Sequence, residues 1–364
     1  MKASHIPFKK RLALNLFRRY RKNEAILHNL NYIFWECTLR CNLDCLHCGS
    51  ECKKEADVKD MPGADFLRAL DEVTPIVNPN KTMIVLTGGE ALVRKDIEDV
   101  GIKLYERGFP WGLVTNGMLL TPQRLNSLLN AGLRSITVSL DGLENSHNWL
   151  RGNEKSFEQA LNAIKLLPTV PDLVYDVVTC VNQRNFDELE QIKDLLISIG
   201  VTKWRVFTII PIGRAKEHEE LQLTPVQFKA LFEFIKQTRK EGRIEVNYGC
   251  EGFLGNYERE VRDYFFFCRA GISTASVLCD GSIAACPDMR ENFIQGNIYH
   301  DNFRDVWENK YQIFRDRSWT KTGICADCSH FKHCEGNGMH LRHEKTGELL
   351  FCHIERFKQA ENNA

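Results

Sequence analysis

Tyr32-Ile33-Phe34-Trp35-Glu36-Cys37-Thr38-Leu39-Arg40-Cys41-Asn42-Leu43-Asp44-Cys45-Leu46-His47-Cys48 is the stretch on which the reading of this chain turns. Its first four residues are apolar and rich in aromatic or β-branched side chains, the composition of a short buried strand. Directly after it, Cys41, Cys45 and Cys48 fall in CxxxCxxC spacing on one loop. Three thiolates on a short loop can hold three irons of a cubane cluster and leave the fourth iron open. Structural zinc is the competing reading, but zinc usually takes four ligands in CxxC pairs. Cys37 and Cys52 flank the triplet and read as structural or redox-exposed thiols.

Outward from this loop the pattern repeats. Met83 to Leu86, Trp111 to Thr115, Ile136 to Leu140, Leu173 to Cys180 and Trp204 to Ile210 read as further short strands. Helical segments lie between them. Thr121-Pro122 and Thr224-Pro225 place an N-cap before a proline at the first helical position, and Gly132 closes the first of these helices. Phe186, Leu189, Ile192, Leu196 and Ile199 share one helical face. Strands alternating with helices imply a parallel sheet covered by helices. Six such strands predict an α/β fold with a partial, six-stranded βα barrel, whose chemistry sits at the C-terminal ends of the strands. After about residue 245, glycine, cysteine and aromatic residues dominate, and Val277 to Ile283 with Asp280-Gly281 reads as a hairpin. The expected units are a basic segment 1–28, a core 29–245 and a cysteine-rich domain 246–364.

Composition narrows the function. The 364 residues carry 48 Lys+Arg against 48 Asp+Glu, so the chain is not built to coat nucleic acid. No apolar run reaches the ~18–20 residues of a membrane span. Leu12 to Phe17 is too short for a signal peptide and is followed by Arg18, Arg19, Arg21 and Lys22, so the expected location is cytoplasmic. There thiols stay reduced, and 14 clustered cysteines point to metal or iron–sulfur ligation rather than disulfides. Residues 2–22 hold eight Lys/Arg and no acid around Leu12, Leu14 and Phe17. They read as a solvated helix, or alternatively as a membrane-surface or peptide-docking arm.

Further motifs close the predicted strands. Thr87-Gly88-Gly89-Glu90 ends the second, Thr115-Asn116-Gly117 the third, and Val138-Ser139-Leu140-Asp141-Gly142 the fourth, with Arg151 downstream. With the cysteine triplet, they make the chain resemble the radical SAM superfamily, whose signature is CxxxCxxC after the first strand. The resemblance implies a 4Fe–4S cluster on Cys41, Cys45 and Cys48 that binds S-adenosylmethionine. One electron then releases a 5′-deoxyadenosyl radical, and the protein's part is to hold the cofactor and shield the radical. It also implies that His47, Gly88, Gly89, Glu90, Ser139 and Arg151 bind that cofactor. Residue by residue, a turn explains Thr115-Asn116-Gly117 equally well. Ser139 also reads as a capping hydroxyl, Arg151 as a surface ion pair and Glu90 as a solvent-facing turn residue. Pro211-Ile212-Gly213-Arg214 is family-like, with no chemistry assigned.

The C-terminal cysteines extend the resemblance to SPASM-type members. Cys268, Gly281 with Cys286, then Cys325, Cys328, Cys334 and Cys352 follow that domain's pattern, except that Gly338 stands where a further cysteine belongs. Cys325, Cys328, Cys334 and Cys352 suffice for one auxiliary 4Fe–4S cluster. Cys268 and Cys286 are two ligands of a second, which needs Cys279, Cys250 or a non-cysteine ligand. A four-cysteine zinc ribbon is the alternative for this domain. Asp288 resembles an aspartate that accepts a substrate proton in sulfatase-maturing relatives, one residue further along; a turn-forming Asp after Pro287 is the competing reading. The resemblance implies an enzyme that modifies a peptide or protein, with flavodoxin or ferredoxin as reductant. A small-molecule or cofactor precursor is the alternative substrate. A zinc-stabilised binding module does not explain the Gly-Gly-Glu placement, and a plain electron carrier does not need an open iron.

Overall fold

The computed structural model describes residues 5–249 and 251–362. Six parallel strands form where the sequence places them: β1 (Tyr32–Thr38), β2 (Met83–Gly88), β3 (Trp111–Thr115), β4 (Leu133–Ser139), β5 (Val174–Val181) and β6 (Lys203–Thr208). A seventh, β7 (Glu245–Tyr248), pairs parallel with β6. The remaining strands are β8 (Thr274–Val277), β9 (Ser282–Ala284) and β10 (Gly296–Asn297). They extend the other edge of the same sheet, in the order β10-β9-β8-β1-β2-β3-β4-β5-β6-β7. β8 runs parallel to β1, and β8 and β9 form the hairpin expected at Asp280-Gly281.

Helices α1 (Phe8–Leu27), α2 (Gly63–Val73), α3 (Ile97–Glu106), α4 (Pro122–Asn130), α5 (Glu144–Arg151), α6 (Ser156–Leu166), α7 (Leu189–Ser198) and α8 (Pro225–Glu241) precede β7. Thr121 caps α4 through the Arg124 amide, and Thr224 with Gln227 forms a reciprocal capping box on α8. The apolar side chains of strands and helices meet in one core that includes Trp35, Trp111, Trp204 and Trp307, all at most 2% exposed. Trp35 stacks on Phe66 of α2 at 4.6 Å between centroids. The parallel arrangement sends the C-terminal ends of β1 to β6 to one rim, and the motif loops therefore converge there.

Candidate active site

The cysteine loop is held from three sides. Gly89 N donates to Thr38 O at 2.7 Å and Glu90 N to Arg40 O at 3.0 Å, fastening the end of β2 to the start of the loop. These approaches require glycine. A Cβ at Gly88, where φ is +127°, would lie 2.1 Å from Thr38 O, and one at Gly89 would lie 2.2 Å from Arg40 O. On the second side, Asn116 Nδ2 donates to Asn42 Oδ1 at 2.8 Å and points at Cys41 Sγ at 3.8 Å. On the third, Arg214 Nε donates to Cys45 O at 2.8 Å, and its Nη1 reaches Cys52 O at 3.0 Å. Gly213 lets that clamp close, because a Cβ there would meet Cys48 O at 2.5 Å.

These elements enclose a cavity of about 200 Å³ lined by Cys41, Cys45, Cys48, His47, Gly88, Gly89, Ser139 and Arg151 among others. Arg151 is buried, donates from Nε to Asp141 Oδ2 at 2.7 Å, and points Nη1 at Cys45 Sγ at 3.7 Å. It is therefore no surface ion pair. Asp141, fully buried, also accepts from Cys180 N at 2.7 Å. Burial raises its carboxyl, but Arg151 chiefly, with His47 and His147, holds the net value below the usual carboxylate range. Desolvation pushes His47 down to about 4, leaving a neutral imidazole on the cavity wall. His47, Asp141 and Cys180 lie within 4.8 Å of one another, but Arg151 and the Cys180 amide already occupy the carboxylate.

Glu90 is placed differently from the other motif residues. It is fully buried and does not line the cavity. Its Oε1 accepts from Leu92 N at 3.1 Å and Thr115 Oγ1 at 2.8 Å, and its Oε2 accepts from Asn116 N at 2.7 Å. The carboxylate thus fixes the end of β3 and aims Asn116 at the cysteine loop. Thr115-Asn116-Gly117 is more than a turn. Asn116, Asp141 and Arg214 are site residues that motif reading left without a role. Of the flanking thiols, Cys37 is buried and donates to Thr87 O at 3.2 Å, whereas Cys52 lies beside Cys48, its amide 3.3 Å from Cys48 Sγ.

In the C-terminal region, burial raises the Cys334 thiol, and the neighbouring Cys352, Cys325 and Cys328 add to that rise, so the four thiols lie within electrostatic reach of one another. Arg342 Nη2 stands 3.9 Å from Cys325 Sγ. The thirteen described cysteines are all free of disulfides. Cys268 Sγ accepts from Met339 N at 3.5 Å. Cys279 points elsewhere, donating to Lys59 O at 3.5 Å, and Cys250 lies outside the described residues. The SPASM resemblance also implies a further ligand upstream of Cys268, near residue 262, and there Arg262 stands instead as a fully buried cation paired with Glu258.

Both thiol sets fit iron–sulfur clusters. The buried cations beside Cys45 and Cys325, Arg151 at 3.7 Å and Arg342 at 3.9 Å, suit an anionic cubane.

Comparison with known proteins agrees. The radical SAM superfamily model matches residues 35–196, and an iron–sulfur cluster-binding domain model of the SPASM type matches residues 268–329. This chain belongs to the radical SAM superfamily. It is an enzyme of the SPASM-containing branch, with S-adenosylmethionine and 4Fe–4S clusters as cofactors. It is 28% identical to an AdoMet-dependent heme synthase of Methanosarcina barkeri, covering 84% of this chain and 90% of that protein. It is 26% identical to the mycofactocin maturase MftC of Mycolicibacterium smegmatis, covering 84% and 77%. The fold matches anSMEcpe with bound AdoMet at a TM-score of 0.71 and 18% identity, over 92% of this chain and 96% of that one. It matches SuiB of Streptococcus suis bound to its precursor peptide SuiA at 0.67 and 17%, over 88% and 75%. Among the described residues, no helix is long and apolar enough to cross a membrane.

Proposed function

We propose that the chain modifies a peptide or protein whose reacting side chain enters a second cavity, of about 600 Å³, beside the cysteine loop. That cavity carries the reading. Gly49 to Glu51 and Pro211 to Gly213 form one wall, and Asp288, Arg290, His340 and Glu344 form the other. Radical chemistry at Cys41, Cys45 and Cys48 thus borders space shared with the C-terminal region. The cluster and its bound cofactor supply a 5′-deoxyadenosyl radical. His47, Gly88, Gly89, Ser139 and Arg151 hold and orient that cofactor, and Glu90 acts through Thr115 and Asn116. Asp288, exposed on the cavity wall, takes the substrate proton. In this reading residues 29–245 generate the radical and residues 246–364 hold the auxiliary cluster and the substrate, in the cytoplasm, with a flavodoxin or ferredoxin as reductant. The mycofactocin maturase and SuiB likenesses support a peptide.

The heme synthase likeness favours a second reading, a small carboxylate-bearing substrate. Lys216 and His343 on the cavity wall suit carboxylates, whereas Arg290 beside them is already paired with Glu36. The anaerobic enzyme is incubated with S-adenosylmethionine, reductant and the product of a small reading frame encoded beside it, and the mass of that product is followed. A mass change that needs Cys41, Cys45, Cys48 and Asp288 supports the peptide reading. An unchanged peptide, with turnover of an iron-bound tetrapyrrole instead, overturns it in favour of the second.

A further inference from the structure

Helix α1 is fixed to the protein by one face and leaves the other bare. Arg21, 4% exposed, donates from Nη1 to His333 O at 2.7 Å, and its Nη2 lies 3.2 Å from Glu335 Oε1. Lys10 pairs with Glu260 at 3.1 Å, and Phe17 packs on Phe265 at 5.4 Å between centroids. The helix is therefore no loose arm.

Its outward face is unusual for a soluble surface. Phe8, Leu12, Leu16 and Tyr20 recur every fourth residue and form one apolar ridge, exposed by 71%, 53%, 58% and 43%. Ile26 and Leu27 prolong it at 73% and 60% exposed. Single exposed apolar residues need no explanation, but a continuous ridge of them marks a contact surface. Arg11, Arg18 and Lys22 run beside the ridge, and Lys9 and Arg19 lie on the same face between its apolar side chains. None of these five cations has an ion-pair partner among the described residues, although the chain as a whole is neutral.

We propose that this face of α1 seats the enzyme on an anionic phospholipid bilayer. An apolar ridge flanked by lysine and arginine is the pattern of a helix that lies in the membrane interface, with its side chains at the acyl boundary and its cations among the headgroups. Lys9 and Arg19 reach the headgroups by extending their long stems. The shape favours a bilayer over a folded partner. A folded protein takes anchors into matching pockets. The face runs along a 20-residue helix, about 30 Å long, which a fluid surface accepts without complementarity.

Co-sedimentation of the anaerobically purified full chain with vesicles tests this. About three parts phosphatidylcholine to one part phosphatidylglycerol gives the anionic arm, and pure phosphatidylcholine the neutral one. The wild type should partition onto anionic vesicles and release as salt rises. The R11E/R19E/K22E variant should bind at least about a hundredfold more weakly. L12S/L16S should lose about tenfold or more. Both variants should cleave S-adenosylmethionine with chemical reductant at the wild-type rate, which separates docking from folding. Equal binding to neutral vesicles, binding to neither, or undiminished binding by the charge-reversed variant overturns the proposal. So does a wild type that ignores vesicles but binds an acidic electron-carrier protein through these cations.

Discussion

A Cβ on Gly338 would lie 2.4 Å from the carbonyl oxygen of Glu251 and 2.8 Å from the His340 ring. The position where the SPASM pattern puts a cysteine thus has no room for a side chain. With Arg262 buried upstream and Cys279 turned toward Lys59, Cys268 and Cys286 stand as a pair.

Iron analysis follows from that geometry. The anaerobically reconstituted chain should bind about eight irons, two cubanes' worth. The C41A/C45A/C48A variant should keep about four, and removing Cys325 and Cys328 as well should leave none. About twelve irons in the wild type would refute this account of Gly338, and one zinc with about four irons would make the C-terminal region a structural ribbon.

Cleavage of S-adenosylmethionine should depend on the close approaches as much as on the thiols. The triple cysteine variant should release no 5′-deoxyadenosine under strong reductant. Gly89→Ala should lose most of the cluster on Cys41, Cys45 and Cys48 and the cleavage with it, because the new methyl group displaces the Arg40 carbonyl. Wild-type iron content and product yield in Gly89→Ala would remove the close-approach argument.

Asp141→Asn leaves the Arg151 guanidinium buried without its counter-charge. Breaking such a pair from one side costs about 3 kcal/mol or more. Denaturant titration of the variant should show that loss. A midpoint within error of wild type would mean that water reaches Arg151.

The His147 imidazole gives a pH dependence with a definite sign. Desolvation, aided by Arg151, pushes it down to about 3, and its Nδ1 accepts from Asp141 N at 2.9 Å, so it is neutral when folded. The unfolded chain takes up a proton near pH 6.5, so between about 6.5 and 3 it binds more protons than the folded one. This contribution is complete above pH 6.5 and falls by about 1.4 kcal/mol per pH unit as the solution is acidified. His147→Asn, which keeps an acceptor in place, should flatten the slope of the urea midpoint between pH 6.5 and 5. An unchanged slope would assign the acid sensitivity to other groups.

What the sequence determined by itself is local. Strand runs such as Trp111 to Thr115, the Thr-Pro helix starts and the CxxxCxxC loop each depend on residues within a few positions of one another. Composition and spacing therefore expose them. What the tertiary structure decided is which distant residues meet. Arg214 reaches Cys45 across 169 positions, and β8 adds to the free edge of β1, placing the later cysteines beside the radical core. Glu90 shows the same division. Its motif was legible, but its work on Thr115 and Asn116 was not, because a buried carboxylate takes whichever donors the fold brings to it, and those donors stand on the next strand.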